Sequence, residues 1–324
     1  MNAPSRNAIR LAVSMGDPAG VGPELGVKAA AGGRLPADTA LTIIGARRLL
    51  GAIAADVLDL DNVPPDTPLP RRPTAAGGRA SLDYIEAAVR SVLEGRADAL
   101  VTCPISKEAI AAAGSPYPGH TEMLAELAGG GRPVMLLVNG PLRVAFATTH
   151  APLRDVPGML TAEGIAHTGV TLGRALREHF DIPAPRLAVC ALNPHAGDGG
   201  RFGDEEARLL APAVAAIRRA GIEASGPLPS DTLFARALKG DFDGVVALYH
   251  DQGMIPVKLA GLGGVVNVTL GLRIIRTSPG HGTAYDIAGK GIADESSLLS
   301  AIALAAAMVR SSRGLRAPHA DGLQ

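Results

Sequence analysis

The stretch LAVSMGDPAGVGPELGVKAA, residues 11–30, sets the terms for the whole chain. An apolar run fit for a buried strand breaks at Gly16, Asp17 and Pro18, and a helix-like segment begins at Pro23, a residue suited to a first helical turn. Gly20 and Gly22 permit the sharp entry. A glycine-rich turn between strand and helix invites comparison with phosphate-binding loops. It contains neither G-x-G-x-x-G nor G-K-[ST], so the dinucleotide fingerprint and the P-loop both fail, and the turn reads as a structural loop at an active-site rim.

Outward from this unit the pattern recurs. ALTIIGA (40–46) precedes RRLLGAIAADV (47–57), and DALVTCP (98–104) precedes SKEAIAAAG (106–114). RLAVCALNPH (186–195) precedes EEARLLAPAVAAIRRAG (205–221), and DGVVALYHD (243–251) closes the series. Short apolar runs alternating with helical patterns indicate an α/β fold with a largely parallel sheet. MLLVN and LRVAFATT, joined by Gly140 and Pro141, read as a hairpin, so part of the sheet is antiparallel. DNVPPDTPLPRRPTAAGG (61–78) reads as a surface loop, and the polar tail APHADGLQ (317–324) as frayed.

Composition excludes some classes of function. Lys plus Arg equals Asp plus Glu, and the basic residues are scattered, which argues against nucleic acid or an anionic membrane as partner. The two cysteines, Cys103 and Cys190, lie in apolar strand-like stretches; this is no disulfide scaffold and fits a reducing compartment. The run LAVSM after MNAPSRNAIR is too short for a signal peptide or a membrane span. A soluble cytoplasmic protein is expected.

Three of the eight histidines end apolar runs: His150 after LRVAFATT, His195 after RLAVCALNP and His250 after GVVALY. Carboxyl ends of strands are where ligands bind in open α/β sheets. One histidine there reads most simply as structural, whereas three in equivalent places point to a metal or a catalytic cluster. Their spacing is too wide for a local zinc signature, but neutral imidazoles bind divalent transition ions and leave positions open for substrate oxygens. Asp251 either orients one of these ligands or serves as a turn residue before Gly253. In SPYPGHTEMLAEL (115–127), Pro and Gly lead into His120 and Thr121 at a helix start, where unpaired N–H groups favour an anion. Thr121 is equally suited to be the N-cap. His167, His179 and His319 match no motif and read as solvent-facing.

Taken together, GDPAGVGPE (16–24), YPGHTE (117–122), LNPHAGDGGRFGDEE (192–206), GPLPSDTLF (226–234), YHDQG (249–253) and NVTLGLRIIRTSPGHGTAYDIAGKG (267–291) resemble the 4-hydroxythreonine-4-phosphate dehydrogenase family over nearly the whole chain. The resemblance implies oxidation plus decarboxylation of a phosphorylated 3-hydroxy acid with NAD. It implies a divalent metal (Zn, Co, Mg, Mn or Ni) on His150, His195 and His250, two from one subunit and the third from its partner, hence a homodimer with a shared active site. Substrate contacts fall on His120, Thr121, Lys258, Asn267 and Arg276. The segment His281, Gly282, Thr283, Ala284, Tyr285, Asp286 also resembles the adenosine-binding H-G-S-A-P-D-I-A-G-K of isocitrate and isopropylmalate dehydrogenases. That likeness implies their two-domain, non-Rossmann α/β fold, with residues 1–127 plus 273–324 forming the first domain and 128–272 the second, which carries the metal ligands and dimer contacts. A carboxylate at Asp286 would accept from a ribose 2′-hydroxyl and repel a 2′-phosphate, favouring NAD over NADP. Tyr285 stands where those relatives have Pro.

The implied chemistry needs a base, for which Lys258, Asp251 or a metal-bound hydroxide are candidates; Lys258 would need a lowered pKa to serve. The substrate is expected to be either 4-phosphohydroxy-L-threonine or D-threonate or D-erythronate 4-phosphate. VTCPISKEAIAAAG (101–114) and DIAGKGIADESSL (286–298) look more like the sugar-acid subgroup. A cis-dihydrodiol dehydrogenase of the same family is disfavoured by the polar set at His120, Thr121, Asn267 and Arg276. A metal-dependent phosphatase or an acyltransferase on a related fold remains the reading from another class, and cofactor binding discriminates.

Overall fold

The structure, a computed structural model, describes residues 8–31, 33–261 and 263–314. The polar tail and His319 lie outside the described residues, as does most of the segment before β1. In chain order the elements are β1 (Ile9–Ser14), α1 (Gly22–Ala31), β2 (Thr39–Gly45), α2 (Arg47–Leu50), β3 (Asp56–Asp59), α3 (Ala75–Leu93), β4 (Ala99–Thr102), α4 (Lys107–Ala112) and α5 (His120–Ala128). There follow β5 (Gly130–Asn139), β6 (Leu142–Phe146), α6 (Val156–Met159), α7 (Ala162–His179), β7 (Arg186–Cys190), α8 (Ala211–Arg219), β8 (Glu223–Leu228), α9 (Ser230–Leu238), β9 (Gly244–Ala247), α10 (His250–Leu259) and β10 (Val266–Leu272). β11 (Arg276–Pro279) and α11 (Ser296–Ser312) complete the chain.

Two compact units emerge, one of residues 1–133 with 272–324 and one of residues 134–271. In the first the strand order is β3-β2-β1-β4-β11, and in the second β10-β5-β6-β9-β7-β8. Among the described pairings only the β5–β6 hairpin is antiparallel. This is the mixed, largely parallel α/β architecture that alternation of strand and helix demands. β4, β9 and β11 are buried along their whole length, as expected of parallel strands covered on both faces. Among the described residues no helix is long and apolar enough to cross a membrane.

Three local expectations are corrected. RRLLGAIAADV forms only the single turn α2, because the chain takes positive φ at Gly51 and continues into β3. The loop reading of residues 61–78 fails at its end, where Thr74 caps Gly77 N at 3.0 Å and Ala75 opens α3. Gly77 and Gly78 are buried in that helix, and a Cβ on Gly78 would collide with the Ala109 carbonyl, so glycine here brings α3 and α4 into backbone contact. His167 and His179 lie half-buried on α7 rather than in solvent, and burial lowers the His179 pKa despite the opposing charge of Glu178.

Candidate active site

β6, β9 and β7 are adjacent and parallel, so their carboxyl ends open on the same edge of the second unit. The segments leaving them are tied together by side chains. Thr148 Oγ1 donates to Leu248 O at 2.7 Å. Gln252 accepts from Leu248 N at 2.6 Å and donates to Ala191 O at 2.7 Å and Ser230 Oγ at 2.9 Å. One glutamine thereby links the exits of β9 and β7, satisfying backbone groups that neither strand can pair.

On this edge the His150 and His250 rings lie 5.8 Å apart between centroids, tilted by 43°. His250 is the first residue of α10, and its Nδ1 meets Asp251 Oδ1 at 2.7 Å. An ionised carboxylate only accepts, so this contact selects the neutral tautomer that donates from Nδ1 and leaves the Nε2 lone pair for a ligand. Asp251 is therefore not a bare turn residue: it orients the imidazole beside it. α10 reaches this position because Gly253 lets it approach β6, where a Cβ would stand 2.7 Å from Phe146 Cε1 and 2.8 Å from Val144 Cγ1.

His195 sits in an unusual loop. Residues 195–199 all have positive φ, including His195 at 53°, Ala196 at 55° and Asp198 at 43°. L-residues resist this conformation, and such strain persists only where surrounding contacts impose it. The entry to this loop is anchored by buried Glu206, which accepts from Leu192 N at 2.9 Å, Asn193 N at 2.7 Å and Asn193 Nδ2 at 2.9 Å. Burial raises the Glu206 pKa, but these donors outweigh it and keep the carboxylate below its ordinary range. Glu206 was missed in the sequence, where it reads as the start of a helix. Among the described residues no group of three His, Cys, Asp or Glu is gathered closely enough to hold a metal, so one chain brings His150 and His250 together without His195. Lys258 is exposed near the end of α10, and Asn267 on β10 has a buried Oδ1 without a hydrogen-bond partner.

The first unit carries a different kind of site. α5 begins at His120 with Gly119 as its N-cap, so Thr121 is the second helical residue and not the cap. His120 Nε2 is buried and unpartnered. Desolvation, and then the charge of Arg276, lowers the His120 pKa well below 6.5. Arg276, only 2% exposed, opens β11 and donates to Thr102 Oγ1 through Nη2 at 2.6 Å and Nε at 3.2 Å. Burial pushes its pKa down to about 9. A helix start, a buried guanidinium and an orphaned imidazole nitrogen that feels its charge make a donor set beside which an anion would offset the desolvation of the cation.

The segment 281–291 of the first unit packs on the β1–α1 turn. Val21 N donates to Thr283 O at 3.0 Å, and Ala284 takes a φ of 43°. Beside it a cleft of about 450 Å³ is lined in part by Ala19, Gly20, Glu24, Arg71, Ala288 and Gly289. Asp286 is exposed. The turn 16–22, read from sequence as a structural loop at an active-site rim, contributes Pro18, Ala19 and Gly20 to the lining of this cleft. Cys103 and Cys190 are free and buried, with burial pushing both thiols up to about 12, so neither is a nucleophile here.

Known proteins resemble this chain along nearly its whole length. A 4-hydroxythreonine-4-phosphate dehydrogenase of Geobacter metallireducens is 47% identical over 93% of this chain and 96% of its own. A Bradyrhizobium diazoefficiens protein provisionally assigned as a D-threonate 4-phosphate dehydrogenase is 46% identical over 90% of this chain and 94% of its own. The crystal structure of 4-hydroxythreonine-4-phosphate dehydrogenase from Klebsiella pneumoniae is 39% identical and superposes with a TM-score of 0.85, covering 93% of this chain and all of that one. The fold and the relatives define an α/β oxidoreductase, a dehydrogenase acting on CH–OH groups. Residues 30–305 match the family described as pyridoxal phosphate biosynthetic protein PdxA, and the chain belongs to that family.

Proposed function

We propose that the protein oxidises and decarboxylates a 4-phosphorylated 3-hydroxy acid with NAD and one divalent metal ion, as a cytoplasmic homodimer. The observation that carries this reading is the buried charge of Arg276 acting on His120, whose unpartnered Nε2 stands at the start of α5. The substrate's phosphate belongs there, held by the guanidinium, the His120 ring, the Thr121 hydroxyl and the first free N–H groups of the helix.

The donor set on the second unit fits a divalent ion: two imidazoles already lie side by side, and the bond to Asp251 leaves His250 Nε2 available to coordinate. His150, His195 and His250 would hold the metal, with the set completed where two chains meet. When bound, NAD supplies the hydride acceptor and the metal supplies Lewis acidity toward the substrate's hydroxyl and carboxylate oxygens. The chain's own residues position the substrate, Asn267 by its buried amide and Arg276 by its fixed charge. With Asp251 engaged by His250, Lys258 Nζ is the remaining side-chain candidate to take the hydroxyl proton. Oxidation at C3 yields a β-keto acid, which loses carbon dioxide readily. NAD preference is read from Asp286.

The named relatives at 47% and 46% identity carry different substrate names, so overall identity does not choose between amino acid and sugar acid. NADH formation with added divalent metal, comparing 4-phosphohydroxy-L-threonine with D-threonate and D-erythronate 4-phosphates, makes that choice. Absence of turnover with all three, in protein shown to hold metal, would overturn the proposal in favour of a dihydrodiol dehydrogenase or a phosphatase.

A further inference from the structure

Tyr285 has no task in the reaction just described, yet it is tied to another residue without one. Its hydroxyl donates to Asp17 Oδ2 at 2.6 Å, across a separation of 268 residues. Asp17 is fully buried in the turn after β1. Its other oxygen, Oδ1, accepts from Ala19 N at 2.8 Å. The carboxylate therefore fixes the β1–α1 turn with one oxygen and segment 281–291 with the other. The far end of that segment is fixed independently: Glu24 on α1 accepts from Ala293 N at 2.8 Å and Gly291 N at 3.2 Å, and Lys28 donates to Gly291 O at 3.0 Å. From Thr283 to the second anchor the backbone has no strand or helix of its own and passes through positive φ at Ala284, Gly289 and Gly291. The cleft lies along this stretch, with Ala19 and Gly20 on one wall and Ala288, Gly289 and Gly291 on another.

We propose that Tyr285 and Asp17 are a positioning pair for the dinucleotide: their hydrogen bond holds residues 283–291 in the shape that lines the cofactor cleft, without touching the reacting atoms. The inference rests on the NAD reading above. A backbone held before the cofactor arrives loses less freedom on binding, so the bond contributes to affinity rather than to the chemical step. It also assigns a role to the position where Tyr stands in place of the Pro of the wider dehydrogenase group. A ring constraint there and a hydroxyl–carboxylate bond here are two ways of ordering one segment.

The test is Tyr285→Phe, which removes only the hydroxyl. Calorimetric NAD binding without substrate is expected to weaken about tenfold, with KM for NAD rising in parallel and kcat staying within about twofold. Hydrogen exchange of the 283–291 amides in the cofactor-free protein should quicken, while that of α11 stays unchanged. Asp17→Asn is the conservative control. With its amide oxygen toward Ala19 N, its NH₂ can donate to the Tyr285 oxygen, so NAD affinity should stay closer to the parent than in Tyr285→Phe. Equal NAD affinity and equal exchange in the parent and Tyr285→Phe proteins would overturn the positioning role and leave the NAD reading standing. A parent protein that binds neither NAD nor NADP would overturn the cofactor reading itself, and this proposal with it.

Discussion

His250 and Asp251 are consecutive, and the bond between them, 2.7 Å long, decides which nitrogen of the imidazole is available. Carboxylates in this relation to a metal-ligating histidine fix its tautomer and ring orientation, and losing them weakens metal affinity by about 10–100-fold. Asp251→Asn should therefore lower affinity for Co or Zn by that order in chelator competition while leaving NAD affinity untouched. Unchanged metal affinity would remove Asp251 from the site. His120 offers a pH signature. Its folded pKa lies well below 6.5, so above that value neither the folded nor the unfolded state binds a proton there. As pH falls below 6.5 the unfolded chain takes up a proton that the folded one refuses, and stability declines. Urea unfolding at about pH 7.5 and about pH 5.5 should show His120→Gln losing about 1 kcal/mol less than the parent over that interval. An identical decline in both proteins would mean that His120 is not desolvated as described. The charge of Arg276 works in the same direction as burial, holding the His120 ring neutral.

Among the elements, α10 is the one whose placement the site most depends on. It carries His250 and Asp251 in its first turn, and Asn139 holds its other end by donating to Val257 O at 2.8 Å and Gly261 O at 2.7 Å. Gly253 sets its distance from β6. Gly253→Ala should cost about 1–3 kcal/mol, because Phe146 and Val144 are packed strand residues with little room to yield. The same substitution should weaken metal binding, since the helix must lift at the end that bears His250. A stability loss with normal metal affinity would show that the strain is absorbed toward Pro256 instead. This element also shows where sequence reading succeeds and where it stops. The strand run GVVA and the histidine beyond it are visible from apolar patterning alone. The Gly253 contact is not, since it involves β6, more than a hundred positions earlier in the chain. α3 was hidden for a related reason: its first turn is written in the Ala and Gly of a loop, and only contact with α4 explains why glycine is needed in a helix.

At the scale of the whole molecule, alternation of strand and helix made the α/β class legible, and motif likeness made the family legible, because both are local properties of the chain. Partners distant in sequence were not legible. Tyr285 gives no sign of Asp17, nor Arg276 of Thr102, since hydrogen bonds between remote segments leave no period in the sequence. The proposed sharing of the three histidines between two chains would likewise be a property of the assembly, and one chain gives a handle on it: among the described residues His150 and His250 stand together, and no group of three ligands is gathered for a metal. In the proposed homodimer each site then takes His150 and His250 from one chain and His195 from the other. Each single His→Ala variant should be inactive alone. Mixing the His195→Ala protein with either His150→Ala or His250→Ala, after dissociation and reassembly, should restore about a quarter of parental activity, since half of the random dimers hold one intact site of two. Mixing His150→Ala with His250→Ala should restore none, because every site then lacks one of the pair. Restoration in that last mixture would place His150 and His250 on different chains within each site. No restoration in any mixture would confine each site to a single chain and remove the shared-site reading.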